Sequence, residues 1–465
     1  MAVSVVAHVF AALFGTVWLA DPQLPPNTNP GWNPALPVSV EEAIGDLSWT
    51  GPSGAPGWRS PVQPGDTVLL LPGEFRCRGR GVRVRNPTGG WVFQQTDQCH
   101  IGISGLPGRA IHIVSLEPWA FSFDGGIVFP ASIRHITLVD VRVHNAAAGL
   151  LHQGKPRVRT TTNPLPAGIT VHGDDIALLR NLVENVGHPG IGAWAGAANK
   201  RIVGNIVRFV GATELTGDPD DPEWERGSAT YLQNCGTSSC SMDGTLDGPA
   251  EVLDNMFFSN RICAVKAYGS GSLPPKGSSA AGPVDDFEIA GNITHLNPFA
   301  GIFLHRKHRD MHRIRLVGNV VFEPAGPALR LGHALYSNPG QRRVDVSGNM
   351  FASGHTAWLQ SSEFKGNRID ANLLTVFPRN PAGTVLYPSR VAIQPRIFDF
   401  ERDPAAAAAH HFDNNVFRLN APNHRDAIVV AGQPQRLAPN TSGWMLPTTF
   451  YQSLATCGTA CVTMA

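Results

Sequence analysis

The chain has 465 residues and a formal net charge of +1, with 37 Lys and Arg against 36 Asp and Glu. That balance excludes a globally basic nucleic-acid binder. Charged residues make up 16% and glycine and proline number 49 and 38, which disfavours a coiled coil or helical bundle and fits many short strands joined by turns.

Val3 to Ala20 is an apolar run, followed by Asp21 and a Pro/Asn-rich stretch. It reads as a signal peptide ending near Ala20, or as a membrane anchor. Residues 1–20 are therefore expected to direct export, 21–39 to form a linker, and the protein to act outside the cell or at its surface. No membrane insertion beyond that anchor is expected. Ser39 is placed to cap a short helix starting at Val40 (VEEAIGDL). Pro64-Gly65-Asp66-Thr67 then reads as a turn into a strand. Six cysteines fall in local pairs, Cys77/Cys99, Cys235/Cys240 and Cys457/Cys461, with Cys263 left over. Disulfides clamping loops are the preferred reading, and no spacing suggests zinc.

From Asn181 onward one phrase recurs: apolar residues, a small or polar residue, Asn, then more apolar residues. It appears around Asn181, Asn205, Asn255, Asn292, Asn319, Asn349, Asn372 and Asn415. A second phrase, a small residue leading an alternating strand, begins at Gly168, Gly190, Ala229, Ala264, Gly301, Ala328 and Ala357. From Asn181, Asn255, Asn292 and Asn319 it follows nine residues later. Each unit thus reads as two short strands joined by a bend. Such a unit buries its apolar face only by stacking on its neighbours. The expected fold is all-β: a single-stranded right-handed parallel β-helix over residues 40–432, with the N-terminal helix as a cap and 433–465 as a C-terminal tail or cap. Stacked at one inward bend, the Asn amides can bond up and down the coil.

The capping helix, the Pro-Gly-Asp-Thr turn with its first strand, and the repeated Gly-Asn phrase together resemble the pectate lyase-like right-handed β-helix superfamily. The resemblance covers roughly Val40 to Gly432. It implies a carbohydrate partner, and polysaccharide lyases with a Lys or Arg base on this sheet.

Alternation predicts which residues face outward in the second phrase. The third positions are Thr170, Gly192, Tyr231, Lys266, Phe303 and Arg330. The fifth are His172, Trp194, Gln233, Tyr268, His305 and Gly332. Lys266 is one of only six lysines, set among aromatic residues that can stack on sugar rings. A lysine desolvated there is a candidate base for β-elimination from a uronate-containing polysaccharide. The expected catalytic set is Lys266 as base, Arg330 or Arg306 as carboxylate clamp, and Tyr231 or His305 as proton donor. Trp194, Gln233, Asn234, Tyr268, Phe303, His172, Arg306 and Arg226 are the expected substrate contacts. No cofactor is needed, unless Asp218, Asp220 and Asp221 in a long insertion bind Ca²⁺. Two alternatives stand: a glycoside hydrolase, which needs paired carboxylates such as Asp221 and Glu225, and a non-catalytic glycan-binding or surface-structural β-helix. The protein is expected to be a monomer.

Overall fold

A strand with alternating apolar residues has one face to bury, so successive repeats must stack. The computed structural model shows that stacking. It describes residues 15–46, 59–77, 81–85, 91–95, 98–144, 151–152, 155–156, 167–186, 189–194, 199–210, 227–233, 250–260, 262–269, 284–297, 300–306, 311–323, 333–337 and 341–353, and beyond these the strands 356–360, 368–370, 373–376, 396–400, 411–413, 415–419, 428–430, 433–435 and 446–448. The chain divides into two compact units, Met1–Thr216 and Gly217–Ala465.

In the first unit the first sheet runs Val38–Ser39, Val17–Asp21, Thr67–Leu70, Ile111–Ser115, Arg134–Val139, Asp174–Leu179, Arg201–Val203. The second runs Gly73–Arg76, Phe121–Asp124, Arg142–His144, Leu182–Val186, Ile206–Val210, and the third Gln98–His100, Gly126–Phe129, Ile169–Val171, Ile191–Ala193. The chain visits the three sheets in turn, and neighbouring strands within each sheet are parallel. Two antiparallel hairpins, Gly81–Arg85 with Trp91–Gln95 and Leu151–His152 with Lys155–Pro156, leave the coil. Cys77 and Cys99 form the expected disulfide. The pairs Cys235/Cys240 and Cys457/Cys461 lie outside the described residues.

Val17–Asp21, the end of the apolar leader-like run, is a strand in register with Thr67–Leu70. Ala20 is 0% exposed, and the Trp18 indole N–H donates to the Asp66 carboxylate at 3.0 Å. The boundary drawn at Ala20 falls inside this strand. The helix expected at Val40 forms over Val40–Ile44: Ser39 Oγ accepts from Glu42 N, and Gly45, at φ 60°, ends it before Leu47. Among the described residues no helix is long and apolar enough to cross a membrane.

In the second unit the same three sheets recur. The first begins Ala250–Leu253, Val284–Ala290, Met311–Val317, Gln341–Ser347; the second Met256–Phe258, Ile293–His295, Val320–Glu323, Met350–Ser353; the third Thr230–Leu232, Cys263–Gly269, Ala300–Arg306, His333–Ser337, Thr356–Gln360. Neighbours are parallel until Gln433–Gln435 and Leu446–Thr448, which pair antiparallel.

Each turn therefore carries three strands, which corrects the two expected from the repeat. The apolar residues on either side of the recurring Asn are not one strand. They belong to the first and second sheets, and the chain turns a corner between them. The residue before the Asn is left-handed: Arg180, Gly204, Asp254, Gly291, Gly318 and Gly348 have φ between 54° and 66°. Glycine is frequent there because it adopts that conformation without a Cβ clash.

The Asn residues at this corner are buried, at 0–2% exposure, and bonded as a ladder. Asn292 N and Nδ2 both donate to Asn319 Oδ1, at 3.1 and 2.9 Å. Asn319 repeats the pattern onto Asn349, at 2.9 Å for both bonds, and its Nδ2 also donates to Ile289 O at 2.8 Å. In the first unit Asn181 donates to Asn205 in the same way. A second ladder closes the corner between the second and third sheets. Asn260 donates to Asn297 Oδ1, and Asn297 donates from its backbone N and its Nδ2 to Glu323. Thr294 Oγ1 adds a third donor to Glu323 at 2.6 Å. Burial pushes the Glu323 carboxyl up from 4.5 to about 8, with these three donors only partly offsetting it.

Two predictions follow from the corners. Asn319→Ala strands buried donors of Asn292 and the Ile289 carbonyl. Each uncompensated group costs about 1–3 kcal/mol, so denaturant titration should show a loss of at least about 2 kcal/mol. For Glu323 the folded state retains a proton that the unfolded state gives up near 4.5. Its contribution to stability is full below that pH and fades as pH rises through about 8. Melting temperature should fall across that window, and Glu323→Gln should flatten the fall relative to the parent protein.

Candidate functional site

The third sheet of the second unit carries the candidate site. Residues Thr230, Leu232, Val265, Ala267, Ile302 and Leu304 point inward, all at 0% exposure. Their neighbours alternate to the outer face. The register pairs Tyr231 with Lys266 and Lys266 with Phe303, which places these three in one column, as expected. The next residue in it is Tyr336. The position assigned to Arg330 is thus occupied by Tyr336, because the strand of that turn is His333–Ser337. Two small–apolar–alternating phrases lie close together there, and the constant offset of nine selects the wrong one. Arg330 itself lies outside the described residues.

This outer column is buried rather than solvated: Tyr231, Lys266 and Phe303 are 8%, 2% and 5% exposed. The Lys266 Nζ lies 5.8 Å from the Tyr231 ring centroid and 5.3 Å from that of Phe303. The Lys266 Nζ is thus held between two π faces. Two residues further along their strands, Gln233 Nε2 donates to the Tyr231 hydroxyl oxygen at 2.8 Å. The His305 ring stacks on Phe303, with centroids 4.7 Å apart and planes within 11°. An amine, a phenol, an imidazole and an amide are thereby gathered on adjacent turns. Beneath them, Ser228 Oγ and the buried thiol of Cys263 are 3.4 Å apart.

Tyr268 pairs in register with His305, and Arg306 follows His305 on its strand. Asn234, Arg226, Asp218, Asp220 and Asp221 lie outside the described residues. Among the described residues no group of three or more His, Cys, Asp or Glu is placed to hold a metal ion. In the first unit, His172 and Trp194 stack on the outer side of the third sheet. The polar corner of Asn260, Asn297 and Glu323 escaped the sequence reading. Its signal is a second Asn five residues after the first, from Asn255 to Asn260 and from Asn292 to Asn297.

No protein-family model matches the sequence, and no curated protein matches it. Among solved structures, a rhamnogalacturonan lyase superposes with a TM-score of 0.50 at 10% identity, covering 86% of this chain and 87% of the other. A pectate lyase gives a TM-score of 0.44 at 13% identity, over 90% of this chain and 77% of the other. PfbA, a surface adhesin of Streptococcus pneumoniae, gives 0.45 at 8% identity, over 78% and 81%. With three parallel sheets wound in turn, the chain has the right-handed parallel β-helix fold.

The two rings flanking Lys266 predict its reactivity. Lys266 should resist amine acylation in the folded protein. Phe303→Leu, which removes one ring face, should raise its labelling several-fold, as read by peptide mass spectrometry.

Proposed function

We propose that this protein is a secreted, carbohydrate-active β-helix that cleaves an acidic polysaccharide by β-elimination at the Lys266 column. The observation that carries the reading is the Lys266 amine lodged between Tyr231 and Phe303, with the His305 ring stacked on Phe303. Lys266 takes the proton α to a uronate carboxylate. The electron pair forms a carbon–carbon double bond, and the glycosidic bond at the β carbon breaks. The leaving oxygen takes a proton from Tyr231 or His305. Charge building on the carboxylate is met by a guanidinium, from Arg306 beside His305 or from Arg330 in the segment before the next strand. Gln233, through its bond to the Tyr231 hydroxyl, orients that donor. Phe303, Tyr268, Asn234 and Arg226 complete the proposed substrate contacts, and Asp218, Asp220 and Asp221 are the residues to which calcium would go if the reaction uses it. The names of the similar structures, two of them lyases, support a carbohydrate ligand.

A second reading is favoured by the burial of Lys266, at 2% exposure. A cation enclosed by two rings can serve packing alone, which would leave a non-catalytic glycan-binding or surface-structural β-helix.

Incubation with pectate, rhamnogalacturonan and alginate separates the two. The lyase reading expects ultraviolet absorbance from an unsaturated product, reduced at least a hundredfold in Lys266→Ala. Reducing ends without that absorbance would instead indicate hydrolysis. Binding without any turnover would favour the second reading.

A further inference from the structure

In the first unit the outer side of the third sheet carries a different aromatic arrangement. Its strands Ile169–Val171 and Ile191–Ala193 pair in register. The ladder continues one residue beyond: His172 N donates to Phe129 O at 2.9 Å and Trp194 N to Val171 O at 3.0 Å. The His172 and Trp194 rings stack, with centroids 6.0 Å apart and planes within 15°. His172 is exposed and Trp194 half-buried, so part of this surface reaches solvent.

Gly192 sets the orientation of the indole. A β-carbon at this position would lie 3.1 Å from Trp194 Nε1 and 3.4 Å from its Cε2, and 2.8 Å from Pro189 Cγ. The indole therefore folds back over the space that any other residue would fill, instead of standing clear of the sheet. Thr170, in register with Gly192, is 9% exposed and keeps the adjoining turn low. Burial of part of the His172 ring, with the nearby charge of His100, holds its pKa below the ordinary 6.5. Near neutral pH the stacked pair is thus an uncharged aromatic surface, with the His172 ring on its exposed side and the indole Nε1 turned inward against Gly192.

Aromatic faces beside a few polar atoms suit a pyranose, whose C–H groups lie on the ring while its hydroxyls reach the edge. We propose that His172 and Trp194, seated by Gly192, form a sugar-stacking platform that binds a polysaccharide on the first unit. The platform takes its ligand class from the carbohydrate reading above, and it requires no part of the Lys266 chemistry.

Calorimetric titration with oligogalacturonides, alginate oligomers and an uncharged β-glucan oligomer tests it. Trp194→Ala should weaken binding at least tenfold. Gly192→Val should do the same by displacing the indole, and Trp194→Phe, which keeps an aromatic face, should restore most of the affinity. Near-ultraviolet circular dichroism checks that each variant is folded, and His172→Ala gives an independent loss if Gly192→Val is not. Wild-type binding that survives unchanged in Trp194→Ala and His172→Ala overturns the platform, even where unsaturated product shows the lyase reading to be right. Binding lost in those variants, with no unsaturated product from the wild type, supports the platform and sinks the lyase reading. A wild-type protein that binds none of the oligomers overturns the platform.

Discussion

The asparagine ladder at the first corner is the constraint on which the other features of the coil depend. A sharp turn between two buried strands leaves backbone N–H groups facing neither solvent nor a sheet partner. One Asn per turn resolves this, because its Oδ1 accepts from the backbone and amide of the Asn in the turn before while its own Nδ2 reaches a carbonyl of that turn. The bond from Asn319 Nδ2 to Ile289 O shows the reach: it spans 30 residues of sequence and one turn of space. A ladder of this kind ties each turn to the next at a single angular position. Side chains eleven residues after Asn255 and Asn292 then arrive at the same place on the third sheet, and Lys266 and Phe303 share a column for that reason. Tyr231 joins that column through its register with Lys266.

The second corner solves a similar problem less uniformly. Asn260 and Asn297 stack, and the next turn supplies Glu323. Among the described residues its carboxyl accepts from Thr294 and Asn297, a set that suits a carboxylate, yet its complete burial favours the proton. The two effects oppose each other, and burial is the larger. A Gln at this position would present an acceptor oxygen beside a donor group, as the protonated carboxyl does, while removing the dependence on pH.

Much of this order is readable from the sequence because the coil is periodic and periodicity survives low similarity to other chains. The Gly-Asn phrase identifies the corner, and the fixed offset identifies the third sheet. Both succeed where turns are of standard length. The number of strands was misread because a left-handed residue such as Gly291 or Gly318 interrupts an apolar run without changing its composition, so two strands look like one. Arg330 was misplaced because more residues separate Glu323 from His333 than separate Phe258 from Cys263 or His295 from Ala300, and an apolar alternation in that stretch of sequence imitates the strand that comes later. Asn260 and Asn297 are harder to read because their repeat lies outside the Gly-Asn phrase, five residues beyond it, and Glu323 replaces the Asn in the next turn. The burial of Lys266 could not be foreseen from alternation at all: alternation says which side of a sheet a residue occupies, not whether that side is covered.

That last distinction governs how the candidate site should be understood. On an open sheet a lysine between two aromatic rows would be a solvated ammonium with weak contacts. Here the amine is 2% exposed, between rings 5.8 and 5.3 Å away, so its surroundings are set by neighbours one turn before and one turn after. The cation–π sandwich exists only while three consecutive turns hold register, since a shift of one residue would turn Lys266 into the apolar interior. The chemistry assigned to Lys266 and the packing of the coil are therefore one physical arrangement. A substitution in the asparagine ladder that lets a turn slip would remove the site along with the stability, without touching any residue on the third sheet.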